Sequence, residues 1–419
     1  MKIIKSIIAL CVAAALAVTI MACRTKDELI ASYEGIEIHA GLYLAISVGT
    51  KMSANSRIDE ALSSTSSQAT SSAVDYSKQK VEEKDYYTWI KDETAARCRQ
   101  YLYIENEFKR LNLSLDDNQK ASLESQASST WYGYTDEYGQ VQQGIGTLYS
   151  KNGVAINSWR MLIENSYKSQ LIFESLYSAD GTSPIPEADL KKALSDNYML
   201  INAVMHVTTV HDHSGENDDD SETKDMDEAQ KKALKDRFEA YAARLNKGED
   251  FSKISEEEEA FQKQEEEDHN NEHHGASSTD PSSVAPSSDI SSAASSDAAS
   301  DTSSGTASSE TPKPKDEAAI LLGNTDKDMD GISIYYEKFK DCEIGSTLIV
   351  EDEGVVYLIK RTDPLADPYY YDVKLNTLMF ILKGDEFEES TKAGADKITP
   401  VFNDSAVSYY NAKKINLSE

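Results

Sequence analysis

The chain has 419 residues, with 42 Lys and Arg against 73 Asp and Glu and a formal net charge of −31. This balance excludes nucleic acid as a partner, because neutralising phosphates needs clustered Lys and Arg, and it excludes docking on an anionic bilayer through basic patches. An apolar share of 39% lies below the usual ~45–50%, so a core is expected together with stretches that stay outside it.

At the N-terminus, Lys2 and Lys5 precede an uncharged apolar run over 6–22. It is short for a spanning helix and has the charged-then-apolar order of a secretory signal. It ends Ile20-Met21-Ala22-Cys23, which resembles the lipobox of bacterial lipoproteins. The resemblance implies a signal peptide over 1–22 and lipidation of Cys23, whose two acyl chains give a stable anchor. The alternatives are an ordinary signal that contains Cys23, or an uncleaved anchor. Cys11 leaves with the signal. The remaining Cys98 and Cys342 are too few for a disulfide framework or a zinc site, and whether they pair stays open.

Two stretches are compositionally biased, and both are expected to be disordered. The first covers 53–77 and is rich in Ser, Ala and Thr. The second covers about 262–315; within 276–310, 15 of 35 residues are Ser and 7 are Ala. Between them the apolar spacing predicts helices. Tyr101, Ile104, Phe108 and Leu111 mark one over about 93–112, and Trp159, Ile163, Tyr167 and Leu171 a second over about 158–178. A third follows Ser183-Pro184-Ile185-Pro186-Glu187 and contains Leu190 and Leu194. The β-branched run 199–210 then reads as a strand. A helix with Leu234, Phe238, Tyr241 and Leu245 on one face stops at Gly248. Strands over 346–350 and 355–361 flank a turn at Glu351-Asp352-Glu353-Gly354. The tail returns to helix around 371–383 and, more weakly, after Glu386.

The order of these parts resembles the SurA and PrsA type of extracytoplasmic foldase. Ser32-Tyr33-Glu34-Gly35-Ile36-Glu37-Ile38 looks like the strand-turn opening of that family's N-terminal domain, and Gly153-Val154-Ala155-Ile156 like its middle. Val204-Met205-His206-Val207 is similar to the first strand of a parvulin-type prolyl isomerase. The run from Ala242 through Gly248 to Phe251 matches the end of the parvulin helix, and Val356-Tyr357-Leu358-Ile359-Lys360-Arg361 matches a last strand. The resemblance implies an α+β fold. A mainly helical, SurA-like chaperone domain would be built from 23–198 and 363–419, and a small parvulin-like α/β domain from 199–362, interrupted by a disordered insert at 262–315.

The same resemblance assigns a site. Parvulins set two His and an Asp or Cys around the twisting amide, whose rotation barrier is about 18–20 kcal/mol. His206 stands at the first His position. The second should lie three residues before Lys360, where this chain has Tyr357, and no acid or thiol in the run Ser255-Glu256-Glu257-Glu258-Glu259 aligns. Met329, Tyr335 and Tyr357 stand where the family has its apolar peptide slot. His206 therefore has two readings: a polar residue on a strand face held by a hydrogen bond, or the remnant of an active site.

Two clusters mix imidazole with carboxylate, His211 and His213 with Asp212 and Asp218–220, and His269, His273 and His274 with Glu265–267. They suit solvated loops, or weak binding of a divalent ion; no metal site and no cofactor are expected. The Tyr-rich runs Trp131-Tyr132-Gly133-Tyr134 and Tyr369-Tyr370-Tyr371 either line a groove for extended peptide or fill a core. The expected function is that of a lipid-anchored extracytoplasmic foldase, from a Gram-positive source, that binds unfolded or nascent secreted polypeptides with weak or absent prolyl isomerisation. The alternative is a non-catalytic lipoprotein that holds one specific partner or a divalent metal.

Overall fold

A computed structural model describes residues 27–65, 74–136, 139–211, 223–274, 313–316, 319–324, 336, 339–340, 342–352 and 354–418. Cys23, Met329, Tyr335 and most of the Ser-rich insert lie outside the described residues. The fold is α+β, with long helices and small antiparallel sheets. The chain divides into two compact units. One holds the residues up to Pro184 and from Lys383 onward, the other Ile185–Leu382.

The first unit opens with a hairpin, β1 (Leu29–Tyr33) and β2 (Ile36–His39). Its two-residue turn puts Glu34 at φ 49 and Gly35 at φ 78, both left-handed as a type I′ turn requires. The helices α1 (Ala40–Thr65), α2 (Tyr86–Arg110) and α3 (Asp117–Tyr132) follow. Between α1 and α2 lies a small ribbon, β3 (Lys80–Val81) and β4 (Lys84–Asp85). Helix α3 starts at a capping box, in which the Asp116 carboxylate takes the Gln119 N–H and the Gln119 side chain takes the Asp116 N–H. A second hairpin, β5 (Gly133–Thr135) and β6 (Val141–Gln143), leads to α4 (Gly146–Lys151) and α5 (Ile156–Tyr177).

Ile30, Ile38, Leu42, Tyr43, Cys98 and Leu102 from the start of the chain share one core with Ile398 and Ala406 from its end. The expectation of disorder from residue 53 is corrected here. Helix α1 continues to Thr65 because Ala54 and Ile58, four residues apart, are buried against Val81, Tyr86, Trp89 and Ile90. Two well-placed apolar side chains suffice to hold a Ser-rich helix against a neighbour.

The second unit begins with α6 (Glu187–Asn197) and the ten-residue strand β7 (Tyr198–Val207). A short ribbon, β8 (Thr209–His211) and β9 (Thr223–Asp225), precedes α7 (Glu228–Leu245) and α8 (Phe251–His274). Strands β10 (Ile320–Gly323), β11 (Thr347–Asp352) and β12 (Val355–Thr362) complete an antiparallel sheet in the order β10-β7-β12-β11. Alternation along the strands makes two apolar layers. Val204, Val356 and Leu358 pack with Leu234, Phe238, Tyr241, Leu245, Phe251 and Ile254 of the two helices. Met199, Ile201, Tyr357 and Ile359 form the other layer with Leu322 and Phe339. Gly248, at φ +91, ends the α7 turn, as a C-terminal glycine should.

Helix α8 corrects the second expectation of disorder. Residues 262–274 are helical rather than part of an unstructured insert. The two tail helices are likewise one helix, α9 (Pro368–Lys397), and after it β13 (Val401–Phe402) pairs with β1 before α10 (Asp404–Tyr409).

Candidate functional site

His206 lies on the helix-covered face of β7, two residues after the core residue Val204 and opposite Val356 of β12. It is buried, with 5% of its side chain exposed. The covering helices supply its surroundings. On α7, Arg237 precedes the core residue Phe238. On α8, Glu258 lies four residues after the fully buried Ile254, and Phe261, Gln262 and Glu265 continue along the same face. Only 1% of the Glu258 side chain is exposed.

The imidazole Nδ1 donates to Oε1 of Glu258 at 2.7 Å. Nη2 of Arg237 donates to the same oxygen at 2.9 Å. Arg237 also comes within 3.3 Å of Nδ1, but Nδ1 already carries the proton given to Glu258, so this is a contact between two donors. The Arg237 guanidinium stacks on Phe261, 3.6 Å from the ring centroid, and the edge of His206 meets that ring at 6.3 Å. Gln262 ties α8 to the strand by donating to the Met205 carbonyl at 2.9 Å. At the rim, Nε2 of His206 lies 3.4 Å from the Glu265 carboxylate.

Burial works against the ionised form of Glu258. The His206 hydrogen bond and the Arg237 charge outweigh it and hold the carboxyl below the usual carboxylate range. The neighbouring Tyr241 phenol is pushed up to about 12, first by burial and then by the charges of Glu258 and Glu257. The result is a buried carboxylate shared by an imidazole and a guanidinium. Such a cluster can lock α7 and α8 onto the sheet. Nδ1 is committed to Glu258 and α8 covers the ring, which leaves Nε2 at the rim beside Glu265.

Tyr357 pairs with Met205 in the strand register, whereas His206 pairs with Val356. Tyr357 therefore points to the opposite face, where it is 8% exposed in the Met199–Phe339 layer. The structure does not bring it together with His206. The side chains of His211, His213, His269, His273 and His274 lie outside the described residues. Among the described residues no group of three or more His, Cys, Asp or Glu is arranged to hold a metal ion. Cys98 and Cys342 are free, buried thiols. Arg237 and Glu258 went unassigned from sequence. The available signal was the position of Glu258 on the face that Phe251 and Ile254 mark as buried, where a carboxylate needs a partner.

No protein-family model matches the chain, and no curated protein matches it. Solved structures do. The foldase protein PrsA from Streptococcus pneumoniae is similar at 11% identity, over 79% of this chain and 96% of that one, with a TM-score of 0.30. PrsA from Lactococcus lactis is similar at 12% identity, over 92% and 99%, also with a TM-score of 0.30. PrsA from Bacillus subtilis is similar at 14% identity, over 94% of each chain, with a TM-score of 0.19. The chain is thus similar to foldases of the PrsA type, while the roles given to His206, Arg237 and Glu258 rest on their own contacts.

Proposed function

We propose that the protein is a membrane-anchored extracytoplasmic chaperone that binds unfolded secreted polypeptides, with prolyl isomerisation weak or absent. The observation that carries the second half is the Glu258 carboxylate, which takes the His206 proton and the Arg237 guanidinium in a buried cluster. The chaperone half rests on the foldase resemblance of the ordered segments. A first core that joins Ile30 and Ile398 supports the part of that reading in which the two ends of the chain build one helical domain. The anchor is assigned to Cys23. No helix among the described residues is long and apolar enough to cross a membrane.

A cis-proline peptide assay, run beside an aggregation-suppression assay on the signal-less protein, tests the reading. Suppression of aggregation of several unrelated unfolded proteins is expected, with little or no isomerisation. His206→Ala should leave that suppression unchanged. Robust turnover abolished by His206→Ala would make His206 catalytic and overturn the second half. Failure to suppress aggregation, with one tight partner recovered instead, would overturn the first. Cys23→Ala should abolish acylation and release the protein from the membrane fraction; unchanged fractionation would remove the anchor.

A further inference from the structure

The hairpin β5–β6 stands at the C-terminal end of α3, beside a cleft of about 790 Å3. Trp131 is 8% exposed at its base, while Tyr132 and Tyr134 are 73% and 56% exposed. Gln142, Gln143 and Ser150 add amides and a hydroxyl, and Lys151 is the one charged residue among the described residues that line it. Among the described residues none forms a side-chain hydrogen bond or ion pair with Gln142, Gln143, Ser150 or Lys151, all of which line the cleft.

The base of the hairpin is closely packed. A Cβ on Gly133 would lie 2.2 Å from the Gln142 carbonyl oxygen, and one on Gly144 2.3 Å from that of Trp131. The strand backbones therefore approach closer than any other residue allows, with Gly133 at φ +80. Ile145 N–H closes the base on the Thr130 carbonyl at 3.0 Å. A preorganised platform that keeps two tyrosines in water suits recognition better than stability, since neither ring adds to the core.

The lining decides the ligand class. Among the described lining residues an unfolded apolar segment would meet one aliphatic side chain, Val141. Among the same described residues an anion would find one cation, and a cation no carboxylate. Aromatic faces beside amides and hydroxyls match a sugar chain, whose C–H faces stack on rings while its hydroxyls pair with amides. We infer that this cleft is a glycan-binding site for a neutral or sparsely acidic polysaccharide, with Lys151 placed for an occasional carboxylate.

Titration calorimetry of the full chain with chitohexaose and cellohexaose tests this, with a permanently unfolded polypeptide as the counter-probe. Saturable binding of at least one oligosaccharide is expected. Tyr134→Ala and Tyr132→Ala should each weaken it about tenfold, Gln142→Ala should weaken it less, and Tyr134→Phe should retain it. These variants should melt as the parent does and bind the unfolded polypeptide as before. Neither oligosaccharide binding, or binding that the tyrosine variants leave unchanged, would overturn the inference. So would loss of polypeptide binding in those same variants, because the cleft would then be a peptide site. Loss of chaperone action alone would leave the glycan result standing, so the two readings fail separately.

Discussion

Removing the Glu258 carboxylate is the sharpest test of the buried cluster. Its Oε1 accepts from His206 at 2.7 Å and from Arg237 at 2.9 Å, and the three side chains are 1%, 5% and 18% exposed. Glu258→Ala strands a guanidinium under Phe261 and an imidazole inside the sheet–helix layer. Breaking a buried pair from one side costs about 3–5 kcal/mol, and the partial exposure of Arg237 places the expected loss near ~3 kcal/mol. His206→Ala leaves the Arg237–Glu258 pair in place and removes one charge-assisted hydrogen bond, worth about 1.5–3 kcal/mol. The order of effect is therefore Glu258→Ala above His206→Ala. The two units can be read separately, since the chain's three tryptophans, Trp89, Trp131 and Trp159, all lie in the first unit. Tryptophan fluorescence in urea should be unchanged, while hydrogen exchange of the β7 and β12 amides should lose protection. A neutral or stabilising Glu258→Ala would refute the reasoning. It would mean that the cluster is maintained against stability, as functional groups often are, and would return His206 to candidacy as a catalyst.

Three further outcomes are expected. Because Glu258 is held below the usual carboxylate range, its stabilisation is complete above the unfolded value of about 4.3 and is lost as pH falls through the lower folded value. The acid-side loss of second-unit stability should accordingly flatten in Glu258→Gln, and an unchanged acid profile would count against the pairing. Cys98 is fully buried and its thiol is pushed up to about 12 by burial, so iodoacetamide should label it only after the first unit unfolds; rapid labelling of the native protein would contradict the packing. Deletion of 276–310, which starts beyond the end of α8 at His274, should move the melting temperature by less than about 2 °C, since loop length enters stability only logarithmically; a large drop would show that the segment packs.

Much of the second unit was legible because its elements advertise themselves locally. The β-branched run at 199–210, the four-residue spacing from Leu234 to Leu245 and the glycine stop at Gly248 are each short-range signals, and β7, α7 and the α7 stop lie where these point. The turn at Gly354 is tighter than expected, since β11 runs on to Asp352. What the sequence hid were elements held by tertiary contact. The last turns of α1 carry Ser, Ala and Thr, and only Ala54 and Ile58 say which way they face. Strand β13 has two residues, no pattern of its own, and exists because β1 offers an open edge: Ala31 pairs with Phe402 and Ser32 with Val401. The β3–β4 turn uses Glu82 at φ 49 and Glu83 at φ 65 where a glycine would be expected. Glu82 is fixed there by the indole N–H of Trp89, which donates to its carboxylate at 3.0 Å, so a side chain rather than backbone freedom holds the turn.

The site was half legible for a related reason. His206 could be found by its strand, because a strand motif is contiguous. Its partners could not, because Arg237 and Glu258 reach it from two helices, 31 and 52 residues away. The run from Glu256 to Glu259 reads as a solvated acidic stretch, yet one of its four carboxylates is nearly inaccessible while Glu257 pairs at the surface with Arg244. Helical periodicity separates them: Glu258 follows Ile254 by four residues, and Glu257 points about 100° away. A carboxylate at a core position in an acidic run is unstable unless a cation meets it, so the burial of Ile254, the cation Arg237 next to Phe238 on α7 and the buried strand histidine form one requirement. Reading any one of them alone leaves either an unpaired charge or an uncommitted imidazole. Together they give His206 a contact on each covering helix, and under the function proposed above this histidine is expected to act in packing rather than in isomerisation.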